Sequence, residues 1–275
     1  MLTIDALNQI TATHAAAAGR PLGTFVPAVL VPENYELQNI ERLQELRSRF
    51  RGAMTTTSMP DFCAHVERRA DELDGEPTPS GFIDPDAMCC KVFFNLGDAA
   101  SPGHADDTAA LSLKPTAAYA ALHQIAGKAL SQAQLAEWME DWAAYLKVVG
   151  TEGEDITVGV AVQKIRTIKI KATSERESSE NNFSATRSAM DQIEASHAEQ
   201  QPADLLFHIH PYEGLQAQTF ILRLSIITGE KPTLKPRWVQ QEAQQEAIAQ
   251  EFKQVLKQLI GGFANLTLGT FNPGN

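Results

Sequence analysis

Among the seven histidines, His208 and His210 have a spacing that chemistry can use. In Phe207-His208-Ile209-His210-Pro211 an extended backbone turns both imidazoles to one face, which is half of a divalent-metal site, and Glu213 is the near residue that could add a ligand. The same pair also suits the polar face of a strand whose other face carries Phe207 and Ile209; such a face would be pH-sensitive. The second constellation is cationic. Lys164, Arg166, Lys169, Lys171 and Arg176 fall within thirteen residues. On a strand they would form a basic surface able to meet a phosphodiester backbone or an acidic partner. Lysines that guard a strand edge against aggregation account for the same residues. The run lacks interleaved rings for stacking on single strands, Phe183 being the nearest.

Other chemistries lack their residues. Neither GxxxxGK[ST] nor GxGxxG occurs, which removes the usual phosphate cradles, and no GxSxG elbow presents a nucleophilic serine. Cys63, Cys89 and Cys90 are odd in number and have no CxxC spacing, so neither a disulfide framework nor a structural zinc site is expected. The vicinal pair reads as small buried hydrophobes on an apolar strand. Carboxylate pairs such as Asp106-Asp107 and Glu140-Asp141 read as solvated surface. Acidic clusters at 71–76, 152–155 and 175–180 would also allow the chain to imitate a phosphate backbone, with ordinary solubility as the plainer account. No cofactor is implied.

The chain that must position these groups has 275 residues, 43% hydrophobic and 21% charged, enough to bury a core without staples. Its net charge of −11 disfavours indiscriminate coating of nucleic acid or of anionic membrane. Met1 to Ala18 has Asp5 and no cationic start, so it does not read as a signal peptide, and no run of 18 apolar residues reads as a membrane span. A cytoplasmic protein without a membrane partner is the expectation.

The pattern predicts an α+β fold of mixed helices with largely antiparallel sheet and a short N-terminal helical arm over 1–20. A helix-rich half with a β-hairpin is expected over 21–150, and a strand-rich half ending in a long helix over 151–275, either as separate domains or as one continuous one. Helices are predicted over 36–46, 58–73 (Ser58 capping Asp61), 117–127 and from a capping box at Ser131 and Gln134 through Leu146. Further helices are predicted over 156–165 and 238–260, the last stopped by Gly261-Gly262. Strands are predicted at 25–31, 88–96, 109–113, 168–172, 205–209, 219–227 and 263–271, the pair 88–96 and 109–113 closing an antiparallel hairpin. The stretches 76–81 and 230–237 read as loop and linker, the second because it carries Pro232 and Pro236.

A resemblance is carried by Val29-Leu30-Val31-Pro32-Glu33-Asn34-Tyr35, by the Arg49-Phe50-Arg51-Gly52 turn, by Asp61-Phe62 through Ile83, and by the helix from Ser131-Gln132 to Glu140-Asp141. Over most of residues 25–260 the chain resembles the YfdQ-like family of tailed-phage and prophage proteins. The resemblance brings no catalytic residues and implies a setting instead. That setting is a non-enzymatic accessory protein of counter-defence, replication or recombination, binding a host or phage macromolecule in the host cytoplasm, with self-association as a homo-oligomer. Two alternatives stand beside it. One is a nucleic-acid binder using the basic 164–176 segment; the other is a self-assembling shell- or ring-forming protein.

Overall fold

The computed structural model describes residues 3–17, 20–22, 28–30, 41, 45–74, 77–168, 201–227 and 232–274. The chain divides into two compact units, Met1–Phe50 and Arg51–Asn275. In the first, α1 (Ile4–Ala17) is the expected arm, followed by β1 (Arg20–Leu22) paired antiparallel with β2 (Ala28–Leu30). Most of the helix predicted over 36–46 lies outside the described residues, and its described end, Glu45 and Leu46, is not helical.

The second unit is α+β, built on two sheets. A five-stranded sheet has the order β13-β4-β5-β6-β3, from β3 (Gly52–Thr56), β4 (Ser80–Asp84), β5 (Cys89–Phe93), β6 (Asp107–Ser112) and β13 (Asn265–Leu268). The hairpin of β5 and β6 is antiparallel as predicted, and β4 joins β5 antiparallel, whereas both outermost strands run parallel to their neighbours. The sequence reading missed β4, because its alternation is short: only Gly81 and Ile83 turn inward. Gly81 lets β13 approach closely, since a Cβ would meet the end of the Leu266 side chain at 2.5 Å and push it aside.

The six-stranded sheet has the order β7-β12-β11-β10-β8-β9, from β7 (Leu130–Ser131), β8 (Leu146–Gly150), β9 (Asp155–Ile156), β10 (Pro202–Ile209), β11 (Gln218–Ile227) and β12 (Thr233–Trp238). All its pairings are antiparallel. Residue 150 falls in the β8–β9 hairpin of a sheet that also takes β10, so strands on both sides of 150 share one layer. The sheet corrects two readings. The linker 230–237 contains β12, because Pro236 sits beyond the reach of the two-residue β7, where its missing amide donor costs no ladder bond. Leu146 belongs to β8 and not to the aromatic helix, which ends at Asp141 and gives way to a short 3-10 turn over Ala143–Tyr145.

Helices cover the inner sheet faces. α2 (Met59–Glu72) starts where Ser58 accepts the Asp61 amide, and buries Phe62 and Val66. α3 (Ala117–Ile125) is capped by Thr116, and Pro115 just before it lies in a bridge to Tyr212. α4 (Gln132–Asp141) opens with the predicted capping box, Ser131 with Gln134. α5 (Val158–Thr167) packs on α4, and α6 (Gln241–Ile260) buries Ile248, Phe252, Leu256 and Ile260 at spacings of three and four. One hydrophobic core runs through the unit. Its fully buried rings include Phe62, Phe94, Phe207, Phe220 and Phe252, each contributing about 2–3 kcal/mol by leaving water.

Candidate functional site

Only the start of the basic segment lies among the described residues, and it is helical. Lys164 and Arg166 lie in the last turn of α5, where cations complement the partial negative charge of a helix C-terminus. Arg166 Nη2 reaches both oxygens of Glu140 at 3.0 and 2.9 Å, and Gln132 Nε2 donates to the Ile165 and Ile168 carbonyls at 2.7 and 3.0 Å. These residues hold α5 against α4. Lys169, Lys171 and Arg176 lie outside the described residues, as do the predicted strand at 168–172 beyond its first residue and the acidic cluster at 175–180.

His208 and His210 are both exposed, while the alternating Phe207 and Ile209 are buried, as the alternation predicts. Each ring has a local partner: His208 Nδ1 lies 3.0 Å from Thr219 Oγ1, and His210 Nδ1 donates 2.8 Å to the Leu215 carbonyl. Among the described residues no three His, Cys, Asp or Glu side chains gather into a metal-holding set. Asp107, read as solvated surface, is instead buried at the start of β6, ion-paired with Arg69 of α2, which also pairs with Glu72 and lies over the Phe94 ring. Asn95 fixes this corner, accepting the Asp107 amide at 3.0 Å and donating to Asp106 at 2.8 Å. It is a structural joint between α2 and the sheet. The thiols are equally quiet: burial raises Cys63 and Cys89, and pushes Cys90 up to about 12.

A surface that sequence reading passed over is the outer face of the six-stranded sheet. Along β11, Phe220, Leu222 and Leu224 are buried, while Thr219, Ile221 and Arg223 are exposed and Ser225 is half-buried. Register carries this alternation across the sheet. Val149, Asp204, Arg223 and Arg237 form one row; Lys147, Leu206 and Ile221 form the next, with Val239 beside Ile221; Ser225 faces Lys235. The face thus has a shallow aliphatic band with cations on both sides of it.

Its electrostatics run against those of the chain. Arg223 is held by Asp204 through Nε to Oδ1 at 3.0 Å and Nη2 to Oδ2 at 3.2 Å, and Lys147 reaches Asp155 at 2.9 Å. Among the described residues no carboxylate pairs with Lys235 or Arg237. Arg237 stands directly across from Arg223, an arrangement that costs stability unless an anion answers it. Among the described residues, four cations, Lys147, Arg223, Lys235 and Arg237, against Asp155 and Asp204 leave this face positive on a protein of net charge −11. The signal was present in sequence as the polar half of the 219–227 alternation, but Arg237 and Lys235 were hidden by the proline-bearing segment read as linker.

Comparison with known families bears on the whole chain. A family model described as "Uncharacterized conserved protein (DUF2303)" matches residues 3–271. The chain belongs to the DUF2303 family. No curated protein and no solved structure matches it. DUF2303 membership therefore covers the open sheet face and the basic turn of α5 alike. No helix among the described residues is long and apolar enough to cross a membrane.

Proposed function

We propose that this protein is a non-enzymatic binding protein that takes the phosphate backbone of a nucleic acid on the open face of its six-stranded sheet. The observation that carries the reading is Arg237, set directly across from the Asp204-paired Arg223 and without a carboxylate partner among the described residues, extended along β12 by Lys235. Alternate residues on a strand stand about 6.5–7 Å apart and neighbouring strands about 4.8 Å, so these cations offer closely spaced contacts on a face left exposed by the described residues. Aliphatic Leu206 and Ile221 beside them can lie against sugars, and among the described strand residues of this face no Phe, Tyr or Trp stands beside the cations, His208 being its ring, which favours backbone contact over base stacking there. This moves the polyanion site away from the 164–176 segment.

Fluorescence anisotropy with labelled single-stranded and duplex oligonucleotides tests the proposal. Binding should weaken steeply with salt, and Arg237→Ala or Lys235→Ala should each reduce the salt slope by about 1. Lys164→Ala should leave it unchanged. Absence of binding at low salt, or binding only to an acidic protein, defeats the reading. The setting implied by the YfdQ-like resemblance, a phage or prophage accessory protein in the host cytoplasm acting as a homo-oligomer, is part of the same proposal. Light scattering tests the oligomer, and a strict monomer removes that part.

A further inference from the structure

The outer face of the five-stranded sheet carries a second, chemically different feature. Phe93 is fully buried yet lies outside the main core, because on β5 it alternates with the core-facing Val92. Its cover comes from three groups. Phe82 of β4 meets it edge-on at 5.9 Å, Phe271 meets it edge-on at 5.8 Å, and Lys91 Nζ stands 4.7 Å from the ring centroid. Phe271 also stacks on Phe82, with centroids 4.9 Å apart and planes inclined by 14°. It is 41% exposed.

Phe271 belongs to the segment after β13, not to the sheet. The last backbone tie is the Gly269 amide to the Ile83 carbonyl at 2.8 Å, and no backbone hydrogen bond among the described residues holds residues 270–274. A single ring thus seats the tail. Next to the slot the register places the small residues Ala110 and Thr55 in line with Lys91 and Phe82, which leaves a low floor toward the β3 edge.

We propose that this slot stacks one base of a single-stranded nucleic acid on Phe82, in the place Phe271 takes in the free protein, with the Lys91 ammonium on an adjacent phosphate. The tail ring shows what the slot accepts: a flat π-face parallel to Phe82 and edge-on to Phe93. A nucleobase meets that description, and a cation at its margin is the usual companion of such a platform. The inference rests on the nucleic-acid reading above but assigns a different surface and a different contact, to the base instead of the backbone. Phe271 then acts as a competitor, and it lowers the apparent affinity by the fraction of molecules in which it is seated.

The test uses the full chain and a labelled oligothymidylate carrying one 5-iodouridine. Phe271→Ala should tighten binding roughly three- to tenfold, Phe82→Ala should weaken it about tenfold, and photocrosslinking of the wild-type protein should fall within residues 80–93. Lys91→Glu, at an exposed position, serves if Phe82→Ala does not fold, and should also weaken binding. Should Phe271→Ala and Lys91→Glu leave affinity unchanged and the crosslink fall elsewhere, while Arg237→Ala still weakens binding, the base slot is wrong and the backbone face stands. Should Phe271→Ala and Lys91→Glu act as expected while Arg237→Ala does not, the backbone face is wrong instead. If the oligonucleotide does not bind at all, both are wrong.

Discussion

Arg69 enters the interior because Asp107 goes in with it, while Glu72 meets its guanidinium from the exposed side. A buried guanidinium costs several kcal/mol in lost hydration, and only closely matched carboxylates return that. Arg69→Met should therefore destabilise the fold by about 3–5 kcal/mol in urea titration, since it strands the Asp107 carboxylate, and Asp107→Asn added to it should recover part of the loss. A second residue-scale expectation concerns Cys90. With burial, and the nearby Cys89 and Cys63, pushing its thiol up to about 12, native protein at about pH 8 should leave Cys90 unalkylated by iodoacetamide, and denaturant should expose it, as read by peptide mass. The inert character of this cysteine was legible from its place in an apolar run. Asp107 was not, because its partner lies on another element: nothing near Asp107 in sequence announces Arg69.

At the scale of elements, local signals were read correctly wherever the residues that decide them are neighbours. Ser58, Ser131 with Gln134, and Gly261-Gly262 mark helix ends through bonds to residues two to four positions away. Removing the hydroxyl by Ser131→Ala should cost about 1 kcal/mol, measurable as a lowered denaturation midpoint with unchanged slope. The loop after β5 is also more ordered than its small polar residues indicate. Asp98 Oδ1 accepts the amides of Ala100 and Ser101 at 2.8 and 2.7 Å, and Gly103 is pressed so close that a Cβ would lie 2.0 Å from the Asn95 carbonyl. Gly103→Ala should thus destabilise more than Gly81→Ala, where the obstacle is the movable end of Leu266. Elements decided by distant partners were harder to read. β4 exists because β5 and β13 flank it, β12 because β11 does, and the helix predicted over 156–165 runs on to Thr167, so that Arg166 as well as Lys164 lies in its last turn.

For the whole molecule, charge and titration act together. Burial first, then the Arg68 and Arg69 guanidinium groups, hold His65 below its ordinary range, and Arg68 Nη2 donates to its Nδ1 at 2.9 Å, a bond available only to the neutral ring. Burial lowers His123 as well. The unfolded chain therefore binds protons at these two positions more readily than the folded one. Their contribution to stability is complete above the unfolded histidine value near 6.5 and is lost as pH falls from there toward the folded values. The melting temperature should drop on acidification through that window, and His65→Phe should flatten the drop.

The parallel edges of the five-stranded sheet have a kinetic consequence. Its middle, β4-β5-β6, joins consecutive segments of chain, and such short loops close quickly. Each outer strand must instead find a neighbour far along the chain: Gly52 seeks Asp107, and Asn265 seeks Ser80. Closure entropy rises with that separation, so the sheet assembles from its centre outward and β13 arrives last. Run in reverse, the same order makes β13 and the Phe271 tail the first part of the sheet to open. In native-state deuterium labelling the amides of Asn265–Leu268 should exchange well ahead of those of β5, by an opening that spares the rest of the fold.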